Sequence, residues 1–107
     1  MIYRKLGRTG IDVGVVGLGA EYLEFESVNT VISVVHRAID HGVNYIDLFL
    51  ASPGVRDNFG KALRNKRQKV MVAGHLGAVM RHGQYSRSRD RIECLSYYED
   101  LLRRLKT

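Results

Sequence analysis

Three short segments of the chain are predicted to form strands. They cover residues 15–19, 43–47 and 69–73 and have the sequences VVGLG, VNYID and KVMVA. The first is a short apolar run that ends in glycine, which is typical of a strand buried in a parallel sheet. Ahead of the first run, residues 2–14 read as two extended segments around the turn sequence Gly-Arg-Thr-Gly, which predicts a hairpin.

Apolar residues recur at helical spacing after each of these runs. The pattern predicts helices over residues 28–41, 55–65 and 91–105. Ser27 is placed to cap the first helix, and Gly42 follows its last turn, where glycine is favoured. Asp90 and Glu93 are three residues apart, as in a capping box, at the start of the third helix. The buried face of that helix is predicted to contain five apolar residues, Ile92, Leu95, Tyr98, Leu102 and Leu105.

The segment between the third strand and the third helix shows no such period. Residues 74–89 are rich in glycine, histidine and arginine, and they predict a long, solvated loop. Loops of this length are often functional. Arg81, His82, Arg87 and Arg89 could therefore contact a phosphate or a substrate, although mobility in solvent is the simpler interpretation.

A hairpin followed by three strand–helix units predicts an α/β protein with a parallel sheet in the order 1-2-3. Residues 1–107 are expected to form a single domain. Three strands covered by helices on one side leave two free edges and an uncovered face, so the domain is expected to be incomplete and to self-associate. We expect valine, isoleucine and leucine from the strands to line the uncovered face.

Composition narrows the functional classes. The 107 residues are 45% hydrophobic and include one cysteine, Cys94, which excludes an internal disulfide and favours a reducing compartment. No apolar stretch approaches the roughly 20 residues of a membrane helix, and no secretory signal is evident. We therefore expect a cytoplasmic protein with no membrane partner and no metal site.

Charge is distributed unevenly between the two parts of the chain. Residues 1–60 carry 5 Lys+Arg and 7 Asp+Glu, whereas residues 61–107 carry 12 and 4. A basic segment could bind nucleic acid or phosphate. However, no aromatic residues are interleaved with the charges of residues 61–69, and lysine and arginine are favoured near helix C-termini. We therefore expect no nucleic-acid partner.

Three ordered segments resemble the aldo/keto reductase family. They are YRKLGRTGIDVGVVGLG, HRAIDHGVNYID and GKALRNKRQKVMVAGHLG. The resemblance extends over nearly the whole chain and implies the hairpin and about three β-α units at the N-terminal side of a (β/α)₈ barrel. It also implies reduction of a small carbonyl substrate by hydride from NADPH or NADH, at the carboxyl ends of the strands. The family's cofactor clamp belongs to later strands, so we expect this chain alone to bind NADP(H) poorly.

The family's catalytic residues carry over only in part. Asp47 matches the aspartate. Ser52 stands where the family has its proton-donating tyrosine, and its hydroxyl is far too weak an acid to replace it. His75 occupies the position of the family's lysine, because AGHLG replaces A-T-K-F-G. The fourth residue, a histidine of the next strand, has no counterpart in these 107 residues.

The substitutions resemble one branch of the family. Its full-length members keep the aspartate, lack the tyrosine, have histidine in the lysine position and carry a C-terminal ferredoxin-like iron–sulfur segment. The segments GLGAEYLE and IDLFLASPGVRDNFGKAL are similar to that branch. The cysteines for such a cluster are not encoded here.

Each candidate site residue also has a structural interpretation. Asp47 could cap a turn, His75 could be a loop histidine that bonds backbone, and Ser52, before a proline, could be a turn residue. If Asp47 and His75 end neighbouring strands, their side chains should meet, and a carboxylate beside an imidazole orients the ring and favours its charged form. Gly19 and Ala20 match the cofactor-contacting end of the family's first strand, with Asp47 as a third contact.

Two hypotheses on function remain open. The first is an oxidoreductase fragment that is inactive alone and requires the missing C-terminal half of the barrel. The second is a small α/β domain without catalysis that self-assembles for a structural or binding role. A weaker third hypothesis is a phosphate or nucleic-acid binder that uses residues 61–91.

Overall fold

The fold begins with a two-stranded antiparallel hairpin. The computed structural model describes all 107 residues, and strands β1 (Tyr3–Lys5) and β2 (Asp12–Gly14) pair in it as predicted. The phenol of Tyr3 donates a hydrogen bond to the Gly42 carbonyl at 2.7 Å. This contact fixes the hairpin to the turn that precedes the second strand of the main sheet.

The main sheet has three parallel strands. They are β3 (Leu18–Gly19), β4 (Tyr45–Leu48) and β5 (Met71–Gly74), in the order β3-β4-β5. The predicted topology is confirmed, but β3 is shorter than expected. Val15 and Val16 lie outside the sheet and are 52% and 57% exposed.

Three helices follow the three strands. They are α1 (Val28–Asp40), α2 (Pro53–Ala62) and α3 (Arg91–Leu105). The predicted caps are confirmed, because the Ser27 side chain accepts from the Thr30 amide and the Asp90 side chain from the Glu93 amide. The Glu93 carboxylate does not complete the capping box but accepts from Arg81 instead.

The hydrophobic core lies between the sheet and the helices. Ile46 and Leu48 alternate with Tyr45 and Asp47 along β4, and both are fully buried against the helices. The opposite face was predicted to carry valine, isoleucine and leucine. That prediction is wrong, because the strand period turns the branched residues towards the helices. The uncovered face instead presents Gly19, Tyr45, Asp47, Met71 and Ala73.

Helix α3 packs through a different stripe from the predicted one. Its buried residues are Cys94, Leu101 and Leu105, whereas Ile92 is 80% exposed, and Leu95 and Tyr98 are also exposed. Apolar residues occupy two stripes of this helix. The stripe that includes Cys94 and Tyr97 contacts the neighbouring elements, so the predicted face is correct only at its Leu105 end.

The segment 74–89 is not the predicted long loop. It contains a second hairpin, β6 (Ala78–Arg81) and β7 (Gln84–Arg87), in antiparallel register. His82 and Gly83 connect the strands with φ of 51° and 77°. Two consecutive positive φ angles are typical of a type I′ turn, whose twist matches that of the flanking strands.

A buried cation joins α2 to α3. The Arg56 guanidinium donates to the carbonyl oxygens of Leu50 and Tyr97 and to the carboxylate of Asp100 at 3.0 Å, and its side chain is 3% exposed. Desolvation by burial lowers the pKa of Arg56. Desolvation also raises the pKa of Asp100, but hydrogen bonds from Arg104 and Arg56 outweigh it and hold that pKa below its ordinary value.

The two helices also approach closely. A Cβ added at Gly60 of α2 would lie 2.2 Å from the carbonyl oxygen of Arg104 in α3. Glycine at this position therefore permits direct contact between the helix backbones. None of the three helices is both long and apolar enough to cross a membrane.

Candidate functional site

The candidate site lies at the carboxyl ends of β4 and β5. Asp47 is on β4, and His75 directly follows β5. The Nε2 atom of His75 lies 2.9 Å from Oδ1 of Asp47. The structure thus brings these two sequence-predicted residues into direct contact.

The strand period explains why the two side chains meet. Asp47 pairs in register with Ala73, so both point to the uncovered face of the sheet. His75 lies two residues beyond Ala73 and points to the same side. The Asp47 side chain is 46% exposed and the His75 side chain 49%, so solvent or a ligand can reach both.

The hydrogen bond to Asp47 orients the imidazole. When Nε2 carries a proton, that nitrogen donates to the carboxylate. The other nitrogen, Nδ1, makes no hydrogen bond with the protein. In the doubly protonated ring Nδ1 is therefore a free proton donor.

Two aromatic residues that the sequence did not single out adjoin this pair. The Phe49 ring centroid lies 5.7 Å from that of His75 and 5.5 Å from that of Tyr85, which approaches edge-on. Tyr85 belongs to β7. The alternation of side chains on either side of His82 and Gly83 could have predicted this hairpin. Most residues of segment 74–89 are polar, however, so the alternation is not evident in the sequence.

Ser52 is not part of this arrangement. It is the N-cap residue of α2, and Pro53 occupies the first turn. Its Oγ atom is buried and has no hydrogen-bond partner. No hydrogen bond joins Ser52 to Asp47 or His75, so the structure supports the turn interpretation, and a catalytic role for Ser52 stays a prediction.

The end of β3 provides space beside Asp47. Gly19 pairs in register with Asp47, and a Cβ added at Gly19 would meet no atom within 4 Å. The neighbouring Ala20 is fully buried in the core, and its amide donates to the Asp47 carbonyl at 3.0 Å. Gly19 and Asp47 are therefore accessible from solvent, and cofactor contact by Gly19, Ala20 and Asp47 stays a prediction.

The basic segment lies at the other end of the sheet. A cleft of about 360 Å³ beside the C-terminal end of α2 is lined in part by Lys61, Arg64 and Arg67. Because α2 leads into the amino end of β5, this cleft lies at the opposite end of the sheet from Asp47 and His75. Arg67 donates to the Val70 carbonyl, and Lys66 pairs with Asp40. These contacts fit a solvated helix end. No group of three or more His, Cys, Asp or Glu side chains is arranged to hold a metal ion.

Sequence comparison finds a relative that matches part of the chain. No family model matches the sequence. The uncharacterized oxidoreductase YqkF of Bacillus subtilis (strain 168) is 36% identical over 76 residues, which cover 69% of this chain and 24% of the relative. The matched region thus spans about a quarter of the length of that curated protein.

Solved structures match over the whole chain. PA4992 of Pseudomonas aeruginosa, assigned as an aldo-keto reductase, is 26% identical with a TM-score of 0.86, and the match covers 99% of this chain and 43% of PA4992. The aldo-keto reductase AKR11C1 of Bacillus halodurans, in its holo form, is 24% identical with a TM-score of 0.85, over 100% of this chain and 37% of AKR11C1. The chain has the fold of a part of these larger barrels.

Proposed function

We propose that this chain is part of an aldo-keto reductase barrel and carries the proton-donating side of an NAD(P)H-dependent carbonyl reductase. In this reaction class a hydride adds to the carbonyl carbon while a proton is delivered to the carbonyl oxygen. The chain supplies a group suited to the second task.

The contact between Asp47 and His75 carries the proposal. Asp47 holds Nε2 of His75 at 2.9 Å, which leaves Nδ1 free to donate. His75 replaces the lysine that the family resemblance implies, and Ser52, in the tyrosine position, has an enclosed hydroxyl. His75 is therefore the proton donor, and its exposure allows it to regain a proton from water.

The proposal places the cofactor beside the same pair. NADPH or NADH, when bound, supplies the hydride. Gly19 leaves open space next to Asp47, and the absence of a side chain there admits a flat ring. The chain includes only this edge of a cofactor site, since it spans 24% to 43% of the proteins it matches. We therefore expect weak NADPH binding and no turnover by the 107 residues alone.

The test combines the chain with the rest of a barrel. The 107 residues are assayed for NADPH oxidation with a panel of aldehydes, alone and fused to the remaining part of PA4992. We expect turnover only in the fusion, and at least a hundredfold loss in His75→Gln. The matched control is His82→Gln, on the exposed hairpin turn. Equal rates for the two variants would refute the role of His75.

A second candidate function rests on the free edges of the sheet and on two exposed valines that precede β3. Val15 and Val16 are more than half exposed, and the outer edges of β3 and β5 are unpaired. Free edges and exposed apolar residues favour association. We propose that the isolated chain forms a dimer or larger assembly, which sedimentation at micromolar concentration measures. A monomer would contradict this proposal.

A further inference from the structure

The β6–β7 hairpin forms one wall of a cleft that includes His75. The cleft has a volume of about 310 Å³, and its polar lining comes from His75, Tyr85, Arg87, Ser88 and Arg89. It opens at the carboxyl ends of the strands. A ligand in this cleft would therefore lie directly beside the proposed proton donor.

The orientation of the hairpin is determined by its contacts with α3. Val79 is fully buried, and Arg81 donates to Glu93 at 2.8 Å. Tyr97 donates to the Met80 carbonyl at 3.1 Å. Since alternate residues of a strand point to opposite sides, the face with Tyr85 and Arg87 turns away from α3 and towards His75.

The cleft contains two arginines without an acidic partner. The ion pairs of the structure engage Arg56, Arg81, Arg103 and Arg104, but neither Arg87 nor Arg89. The one side-chain hydrogen bond of Arg87 goes to the Tyr85 hydroxyl at 3.4 Å. Arg89 makes none.

Unpaired guanidinium groups suit one class of ligand. The planar fork of arginine matches the two oxygens of a carboxylate or phosphate, and such charge-assisted bonds are about twice as strong as neutral ones. Tyr85 lines the cleft, and its ring meets that of Phe49 edge-on at a centroid distance of 5.5 Å. The cleft thus combines two guanidinium groups, one aromatic ring and the imidazole of His75.

We propose that Arg87 and Arg89 bind an anionic group of the substrate while His75 faces its carbonyl, so that the substrates are carbonyl compounds bearing a carboxylate or phosphate. This inference rests on the proposed function and defines its substrate class. Arg87 and Arg89 are positioning residues for binding; His75 alone touches the reacting oxygen.

The test measures binding directly, so that it does not depend on turnover. Dissociation constants are obtained from the Arg Nε signals in NMR spectra of the full chain. Two matched pairs of probes are used: 4-oxobutanoate with butanal, and glyceraldehyde 3-phosphate with glyceraldehyde. Arg91→Gln is the control variant, because Arg91 is exposed on α3, lies outside the cleft lining and carries the same charge.

We expect the anionic member of one pair to bind about tenfold more tightly than its neutral analogue. Arg87→Gln and Arg89→Gln should each remove most of that difference, and Arg91→Gln should leave it unchanged. The pair that shows the difference distinguishes carboxylate from phosphate.

Three outcomes would overturn the inference. The first is equal binding of charged and neutral probes. The second is an equal loss of anion preference in Arg89→Gln and Arg91→Gln. The third is an Arg87 signal that responds to NADPH but to neither of the two anionic aldehydes. The proposed function fails separately. If the anionic aldehyde binds at Arg87 but the PA4992 fusion with His75→Gln reduces it as fast as the fusion without the substitution, the anion site stands and the proton-donor role is refuted.

Discussion

The Asp100→Asn substitution should destabilise the chain strongly, because it leaves a buried cation without its counter-charge. The Arg56 side chain is 3% exposed, and Asp100 is its one acidic partner. Breaking a buried ion pair by removing one partner costs about 3–5 kcal/mol. Arg56 keeps two carbonyl acceptors and the Tyr97 ring, whose centroid is 5.9 Å from its Cζ atom.

These remaining contacts place the expected loss at the lower end, about 3 kcal/mol. Domains of this size typically have net stabilities of about 5–15 kcal/mol, so the loss is a large share. It corresponds to a fall in Tm of roughly 12–24 °C. The free energy of unfolding is measured by urea titration with far-ultraviolet circular dichroism.

Asp57→Asn is the matched control. Asp57 is 47% exposed and accepts from Arg104 at 2.7 Å, so its loss should cost no more than about 1 kcal/mol. If Asp100→Asn and Asp57→Asn lower the free energy of unfolding equally, water must reach Arg56 and the argument from burial fails. The Arg56→Met, Asp100→Leu double variant should recover most of the stability.

Three further predictions concern pH, packing and capping. The lowered pKa of Asp100 means that this carboxylate stabilises the fold above pH 3.8, its ordinary pKa, and that the stabilisation is lost as pH falls through the folded-state pKa. Asp100→Asn should therefore flatten the decline in Tm below pH 3.8. An unchanged decline would contradict this. Gly60→Ala should cost more than about 2 kcal/mol, because the added carbon would lie 2.2 Å from a backbone oxygen; the matched Gly54→Ala, where a Cβ meets nothing within 4 Å, should not. Asp90→Ala should cost about 1 kcal/mol through loss of the α3 cap, and an equal loss in Asp90→Asn, which can still cap, would exclude the capping explanation. Urea titration measures the last two.

Local chemistry explains which features could be predicted from the sequence. Ser27, Gly42 and Asp90 act within one helical turn, and the structure confirms their predicted places at the helix ends. The contact of Asp47 with His75 was also predictable. It needs only parallel neighbouring strands of matched register and the two-residue period of side chains.

Features that depend on partners elsewhere in the chain could not be predicted in this way. Helix α3 has apolar residues on two stripes, and Ile92 is a better hydrophobe than Cys94, yet Cys94 is buried. The choice depends on where the β6–β7 hairpin packs. That hairpin was itself concealed, since its second strand is polar and its turn begins with His82 rather than with asparagine or aspartate.

Tyr97 has a consequence for protein engineering. Its carbonyl accepts from Arg56 of α2, and its hydroxyl donates to Met80 of the hairpin. One residue thus connects the core with the wall beside His75. Substitutions at connected positions are not additive. A loop graft that transplants residues 78–87 alone would lose this anchor, whereas a graft that also includes α2 and α3 would keep both hydrogen bonds of Tyr97.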